Sequence, residues 1–154
     1  MKPTPTVDAF WKRFTNSQGI DNSPCPDAFY FCDNRQDANV CAELVVAGIK
    51  QATAPSLWWF RTHGEDLPRV GEYFVVTNWD GKPQAVIQTT VVEVVPFGLV
   101  DAAFAHTEGE GDRSLTEWRR VHRSYYVREM GCDESKINDD FEVVCHRFRC
   151  VFYD

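Results

Sequence analysis

Two β-branched runs flank one turn near the middle of the chain, and they restrict its fold more than any other feature. Residues 72–79 and 83–95 are rich in Val, Ile, Thr, Tyr and Phe, and Asp80-Gly81 between them supplies the backbone that a tight turn needs. The pattern predicts a β-hairpin with a long second strand. Leu67-Pro68-Arg69-Val70-Gly71 reads as the turn that leads into it. Residues 141–153 set Val143, Cys145, Arg147, Arg149 and Val151 against Val144, His146, Phe148, Cys150 and Phe152, an alternation that predicts a closing strand. The compact aromatic run 28–32 is consistent with a further strand.

Helices frame these strands. Val7, Phe10, Trp11 and Phe14 recur at i, i+3, i+4, i+7 and make one face of a short amphipathic helix that docks on the core. Residues 16–27 concentrate Asn, Ser, Gly and Pro and predict a loop. Asp37 is the expected N-cap of a second helix that ends at Gly48. Residues 98–106 carry a helical pattern, and Ser114 with Glu117 forms a capping box for a last helix over 115–130. The mixture predicts an α+β domain on a small antiparallel or barrel-like sheet.

The corner after the second helix is a candidate site. Gly48 can take the left-handed conformation that closes a helix, so Lys50 and Thr53 would project from a backbone fixed on both sides before an aromatic stretch at 57–59. Structural explanations for the same residues exist: a helix cap, a lysine favouring the helix dipole and an ordinary strand threonine. Charge narrows the ligand. Twenty-three acidic against 16 basic residues give a net charge of −7, which disfavours a long polyanion but leaves a small nucleic-acid ligand or a local basic patch open. No run approaches the ~20 apolar residues of a membrane span, and residues 1–14 lack a signal-peptide pattern, so a cytosolic protein with free thiols is expected. The six cysteines include no C-x-x-C pair, and Glu108, Glu110 and Asp112 alternate without the remainder of a calcium loop. No metal or other cofactor is therefore expected.

Several short motifs in order resemble the ASCH domain family: Gly48-Ile49-Lys50-Gln51-Ala52-Thr53, Leu67-Pro68-Arg69-Val70-Gly71, Asp80-Gly81-Lys82-Pro83 and Val94-Val95-Pro96-Phe97. To these is added Glu108-Gly109-Glu110-Gly111-Asp112-Arg113-Ser114-Leu115, followed by Trp118-Arg119 and His122. The chain is most similar to the longer bacterial branch of that family. The resemblance implies a PUA-like small β-barrel with flanking helices, spanning residues 1–154 as a single domain in which 1–40 is an N-terminal helix and loop extension. It also implies a cleft lined by the G-x-K-x-x-T segment and a link to RNA or modified nucleosides.

Small members of the family resemble amidohydrolases that deacetylate N4-acetylcytidine with a lysine, a threonine and a glutamate; others are described as ribonucleases or RNA-binding modules. Lysine and threonine carry over to Lys50 and Thr53. The glutamate falls on Glu110 or Glu108, with Glu110 preferred. Lys50 in its neutral form would activate the Thr53 hydroxyl; charged, it would stabilise an oxyanion while the glutamate handles water or the leaving amine. Both divisions of labour stay open at this point. Trp58, Trp59 and Trp79 are candidates to stack a base, His122 and Arg119 to hold a base edge or a phosphate, and Asp112 to bind substrate from the acidic loop; Trp118 is a further substrate-binding candidate, although an aromatic at helical spacing is more often core. The expected partner is a small nucleoside or a short RNA, with no membrane; the alternative to an enzyme is an RNA- or nucleotide-binding module or a single-strand ribonuclease using the same cleft.

Overall fold

The protein is described here by a computed structural model covering residues 4–20 and 23–154. Helix α1, Pro5–Gln18, starts on a Thr4 cap and buries Val7, Phe10, Trp11 and Phe14, the predicted face. It runs further than predicted: residues 16–18 are helical, and the turn begins at Gly19 (φ 64°). Of the loop predicted over 16–27, residues 21 and 22 lie outside the described residues. Strand β1 is only Ala28–Phe29, and helix α2 covers Arg35–Val46. Its cap is Asn34 rather than Asp37, because the Asn34 side chain accepts from the Asp37 amide and moves Asp37 into the first turn, where its charge suits the helix dipole.

A two-residue strand β2, Ala52–Thr53, follows the corner. The aromatic stretch beyond it is helical: α3, Leu57–His63, is capped by Ser56 and closed by Gly64 (φ 63°). These caps override the strand preference of Trp58, Trp59 and Phe60. Strands β3, Tyr73–Thr77, and β4, Pro83–Pro96, form the predicted hairpin. A short 3-10 turn at Phe97–Leu99 precedes α4, Ala102–Glu108, so the helix starts later than predicted because Asp101 caps it. Helix α5, Leu115–Met130, has the predicted bounds and Ser114 cap, and β5, Glu142–Phe152, is the last strand along the chain.

The five strands lie in the order β1-β3-β4-β5-β2, antiparallel except for the β1–β3 pair. The α+β architecture is as expected, but the sheet is not closed into a barrel: β1 and β2 are its two edges. Both are two residues long, too short to zip the sheet shut.

Alternation along β5 sorts the core into layers. Val143 and Cys145 join Ala52, Phe104, Trp118 and Tyr126 beneath α4 and α5, whereas Phe148, of opposite parity, joins Phe31, Cys41 and Val45 beneath α2. Helix α1 packs its aromatic face on Val75 and Val86. No helix among the described residues is long and apolar enough to cross a membrane. The segment between α2 and β2 lies at the sheet edge, where the α2 layer meets the α4–α5 layer.

Candidate functional site

At this edge Lys50 is held from both sides. Gly48, at φ 75°, closes α2, and the amides of Ile49 and Lys50 both return to the Leu44 carbonyl. Gln51 then pairs through its amide with Thr107 O and through its carbonyl with Phe148 N. Against this backbone packs Gly109, at φ 75°, where an added Cβ would lie 2.5 Å from Ile49 O. The approach requires glycine on two counts, space and backbone. It brings Glu108, at the end of α4, and Glu110, at the start of the following loop, to the same lysine.

Lys50 is 2% exposed, yet its surroundings favour the charged form. Its Nζ donates to Glu110 Oε2 at 2.7 Å, Ala52 O at 2.8 Å and Glu108 O at 3.5 Å, and Glu108 Oε2 lies 3.9 Å away. It also sits 4.9 Å from the centre of the Phe31 ring. Burial would push the ammonium's pKa down, but Glu108 and Glu110 together outweigh it and raise the pKa above the ordinary lysine value. The neutral lysine that would activate Thr53 is thereby disfavoured. All three ammonium hydrogens are spent on protein oxygens.

The carboxylates differ. Glu108 is buried, and its Oε2 stands 3.0 Å from His122 Nε2, an ion-pair contact. The other ring nitrogen of His122 faces the Trp118 carbonyl at 2.9 Å and must carry a hydrogen. A second proton must then lie between Nε2 and Glu108, or two lone pairs would meet. Burial opposes the imidazolium, but Glu108 outweighs it and raises the His122 pKa. Glu110 keeps 28% of its side chain exposed. Its burial alone would raise its pKa, yet Lys50 holds it well below the ordinary carboxylate range. Counting Lys50 and His122 as cations, the quartet is neutral.

Two residues that the sequence did not single out complete the cluster. Cys41 of α2 donates to Glu110 Oε1 at 3.2 Å, and Cys32 Sγ lies 3.9 Å from the same oxygen and 3.7 Å from Cys41 Sγ. Their spacing in the chain is no metal or redox motif, so only the fold reveals them. The contact with Cys32, together with burial, pushes the Cys41 thiol pKa up.

The other candidates are placed as follows. Thr53 is half-buried on β2, opposite His146 and so on the sheet face of Phe148; no hydrogen bond among the described residues ties it to the cluster. Trp118 is 5% exposed and lies between Phe97 (5.7 Å, 30°) and His122 (4.2 Å, 16°), which cover its ring. Arg119 donates to Gly98 O at 3.3 Å rather than to the acidic loop. Asp112 is exposed and accepts from the Ser114 amide, a turn that leads into α5. Trp79 tilts against Tyr30 at 4.8 Å beside the hairpin turn. Trp59 stacks on His63 at 4.5 Å and lines an open groove of about 530 Å³ with Trp58, Tyr125, Glu129 and Asp33, the neighbour of Cys32 in the chain. The sequence thus singled out four members of the cluster, Lys50, Glu108, Glu110 and His122, whereas the contacts of Trp79 and Asp112 described above are with other residues.

A family model described as the ASCH domain matches residues 27–152. The crystal structure of an ASCH domain from Lactobacillus crispatus JV V101 is 35% identical, covers 97% of this chain and 96% of its own, and superposes with a TM-score of 0.87. A crystal structure of a protein from Enterococcus faecalis V583 is 30% identical over 95% of this chain and 88% of its own, with a TM-score of 0.83. No curated protein matches the sequence.

Proposed function

We propose, from the premise that this chain belongs to the ASCH domain family, that it hydrolyses an acylated nucleoside such as N4-acetylcytidine at the Lys50 cluster. The observation that carries this reading is a partly open Glu110, 2.7 Å from Lys50 Nζ, beside the His122–Glu108 pair at 3.0 Å, an arrangement that favours an ionised Glu110 and a proton shared by that pair. Amide hydrolysis needs both: a base for the attacking water and an acid for the departing nitrogen. Glu110 takes a proton from water as the oxygen attacks the acyl carbon. The C–N bond then breaks, the proton held by His122 and Glu108 passes to the exocyclic amine, and the acyl group leaves as the carboxylic acid.

Lys50 is a positioning residue in this scheme. Its three hydrogens are already taken, so it keeps Glu110 ionised and aimed instead of meeting the oxyanion. Thr53 has no base bonded to its hydroxyl among the described residues, which favours water as the nucleophile. The groove of Trp58, Trp59 and Tyr125 suits a nucleobase in size and lining.

The test is release of cytidine from N4-acetylcytidine, followed by chromatography. Glu110→Gln should lower kcat by ~100-fold or more, the usual weight of a general base, and Thr53→Ala by less than ~10-fold. Loss of all turnover in Thr53→Ala would instead restore the threonine nucleophile. No turnover by the unaltered protein would exclude this substrate.

A second reading rests on α5. Arg119, Arg120 and Arg123 line an open groove of about 540 Å³ with Ser124 and Glu134, a local basic surface on an acidic chain. A short RNA would lay its phosphates there. Arg120 is already paired to Glu117, and Arg123 to Ile137 O, so binding has to compete with internal partners. A salt-dependent titration with short single strands distinguishes this from small-molecule hydrolysis.

A further inference from the structure

The two thiols beside Glu110 have a geometry that hydrolysis does not use. Cys32 is half-buried and opens the cluster toward solvent, Cys41 is 2% exposed on α2, and the three candidate donor atoms lie within 4.8 Å of one another. We propose that Cys32, Cys41 and Glu110 form a binding site for one thiophilic divalent cation of tetrahedral preference, such as Zn2+, with its fourth position open to solvent.

Distances carry the argument. Two sulfurs each ~2.3 Å from a tetrahedral zinc stand ~3.75 Å apart, and a carboxylate oxygen at ~2.0–2.2 Å stands ~3.5–3.7 Å from each sulfur. The observed separations are 3.7 Å between the sulfurs, and 3.2 and 3.9 Å from them to Glu110 Oε1. The sulfur pair fits, and the two oxygen distances bracket the required value. A shift of Oε1 by a few tenths of an ångström would equalise them.

Backbone and charge agree with the donors. Cys32 has φ 68°, one of two non-glycine residues described in the left-handed region, the other being Arg113. That conformation costs free energy for a residue with a Cβ, and it places Cys32 against Cys41. On binding, each thiol gives up its proton to solvent, so two thiolates and Glu110 bring three negative charges to a dication. Lys50, 2.7 Å from Glu110 Oε2, supplies the remaining positive charge and fixes the carboxylate so that Oε1 faces the metal.

Sequence reasoning misses such a site because it looks for C-x-x-C spacing; here one ligand precedes α2, one sits within it and the third is in the loop after α4. The consequence for the cluster is direct: a metal on Oε1 occupies the base proposed above. Binding itself is independent of that reading and is measured without substrate.

The experiment titrates the reduced, full-length protein with Co2+ and then Zn2+. One equivalent of Co2+ should give sulfur-to-cobalt charge-transfer absorption in the near ultraviolet and visible bands of tetrahedral intensity, both erased by Zn2+. Competition with a chromophoric chelator then gives the Zn2+ affinity. Cys32→Ser and Cys41→Ser should each weaken it at least ~100-fold and abolish the charge-transfer band, and Glu110→Gln should weaken it ~10-fold or more. Cys25→Ser and Cys150→Ser, outside the cluster, should leave it unchanged. Circular dichroism of each variant checks the fold; Cys32→Ala serves where a serine variant melts. Absence of a thiolate band at stoichiometric Co2+, or Zn2+ binding that survives both Cys32→Ser and Cys41→Ser, overturns the proposal. Loss of metal binding with hydrolysis intact, and the reverse, separate this site from the proposed activity.

Discussion

His146 should make this protein lose stability as the pH falls toward 4. Its ring is 3% exposed, edge-on to Phe74 and Phe148 at 5.8 Å, and its Nε2 is hydrogen-bonded to Thr89 Oγ1 at 2.8 Å. Burial alone lowers its pKa from 6.5 to about 4. Below pH 6.5 the unfolded chain takes up a proton that the folded chain refuses. The contribution is therefore complete above 6.5, shrinks as pH falls, and is gone below about 4. Over the full window it amounts to ~3 kcal/mol at ~1.4 kcal/mol per pH unit, and to ~2.5 kcal/mol between about pH 7 and about pH 4.5. The comparison that isolates it is His146→Leu combined with Thr89→Val, so that no hydroxyl is left buried without a partner. Urea unfolding of both proteins at about pH 7 and about pH 4.5 cancels the carboxylates common to the two. The unaltered protein should lose ~2.5 kcal/mol more than the double variant across that interval. A difference below ~1 kcal/mol would refute the assignment of a neutral, desolvated imidazole.

Three further perturbations test the site and its frame. Lys50→Met strands two carboxylates around an apolar side chain and should cost ~3–5 kcal/mol in urea unfolding; adding Glu110→Gln should return part of that loss. Gly109→Ala forces a Cβ against Ile49 O at a positive φ, so a drop in Tm and weaker Co2+ absorption are expected together, because the same contact aims Glu110. Tyr126→Phe removes a buried hydroxyl that donates to Ala54 O beneath the cluster, and should cost ~1–2 kcal/mol without changing the metal affinity.

What the sequence revealed was local. The hairpin about Asp80-Gly81 and helix α5 behind Ser114 were legible because turn, cap and periodicity agree within a few residues. Helix α3 was not, because the aromatic residues from Trp58 to Phe60 favour a strand and only Ser56 and Gly64 at its ends reveal the helix. Lys50 stood out at a corner that fixes its backbone. The ambiguity between Glu108 and Glu110 came from treating them as alternatives, whereas the left-handed turn at Gly109 directs both to one ammonium. Cys32 and Cys41 left no signal, since their meeting depends on the packing of Phe31 and on a backbone angle at Cys32 that composition does not encode.

The cluster is also a product of distance along the chain. Lys50 reaches Glu110 across 60 residues, Cys41 across 69 and Cys32 across 78. Closing loops of that length carries an entropic cost before any of these contacts repays it. On sequence separation alone, the cluster is expected to assemble after the hairpin and α5, which have their own local signals. No fragment that ends before Glu110 contains it, and a partly folded chain exposes two free thiols that the native state keeps together. Protection of Cys41 from alkylation is consequently a measure of how completely the chain has folded.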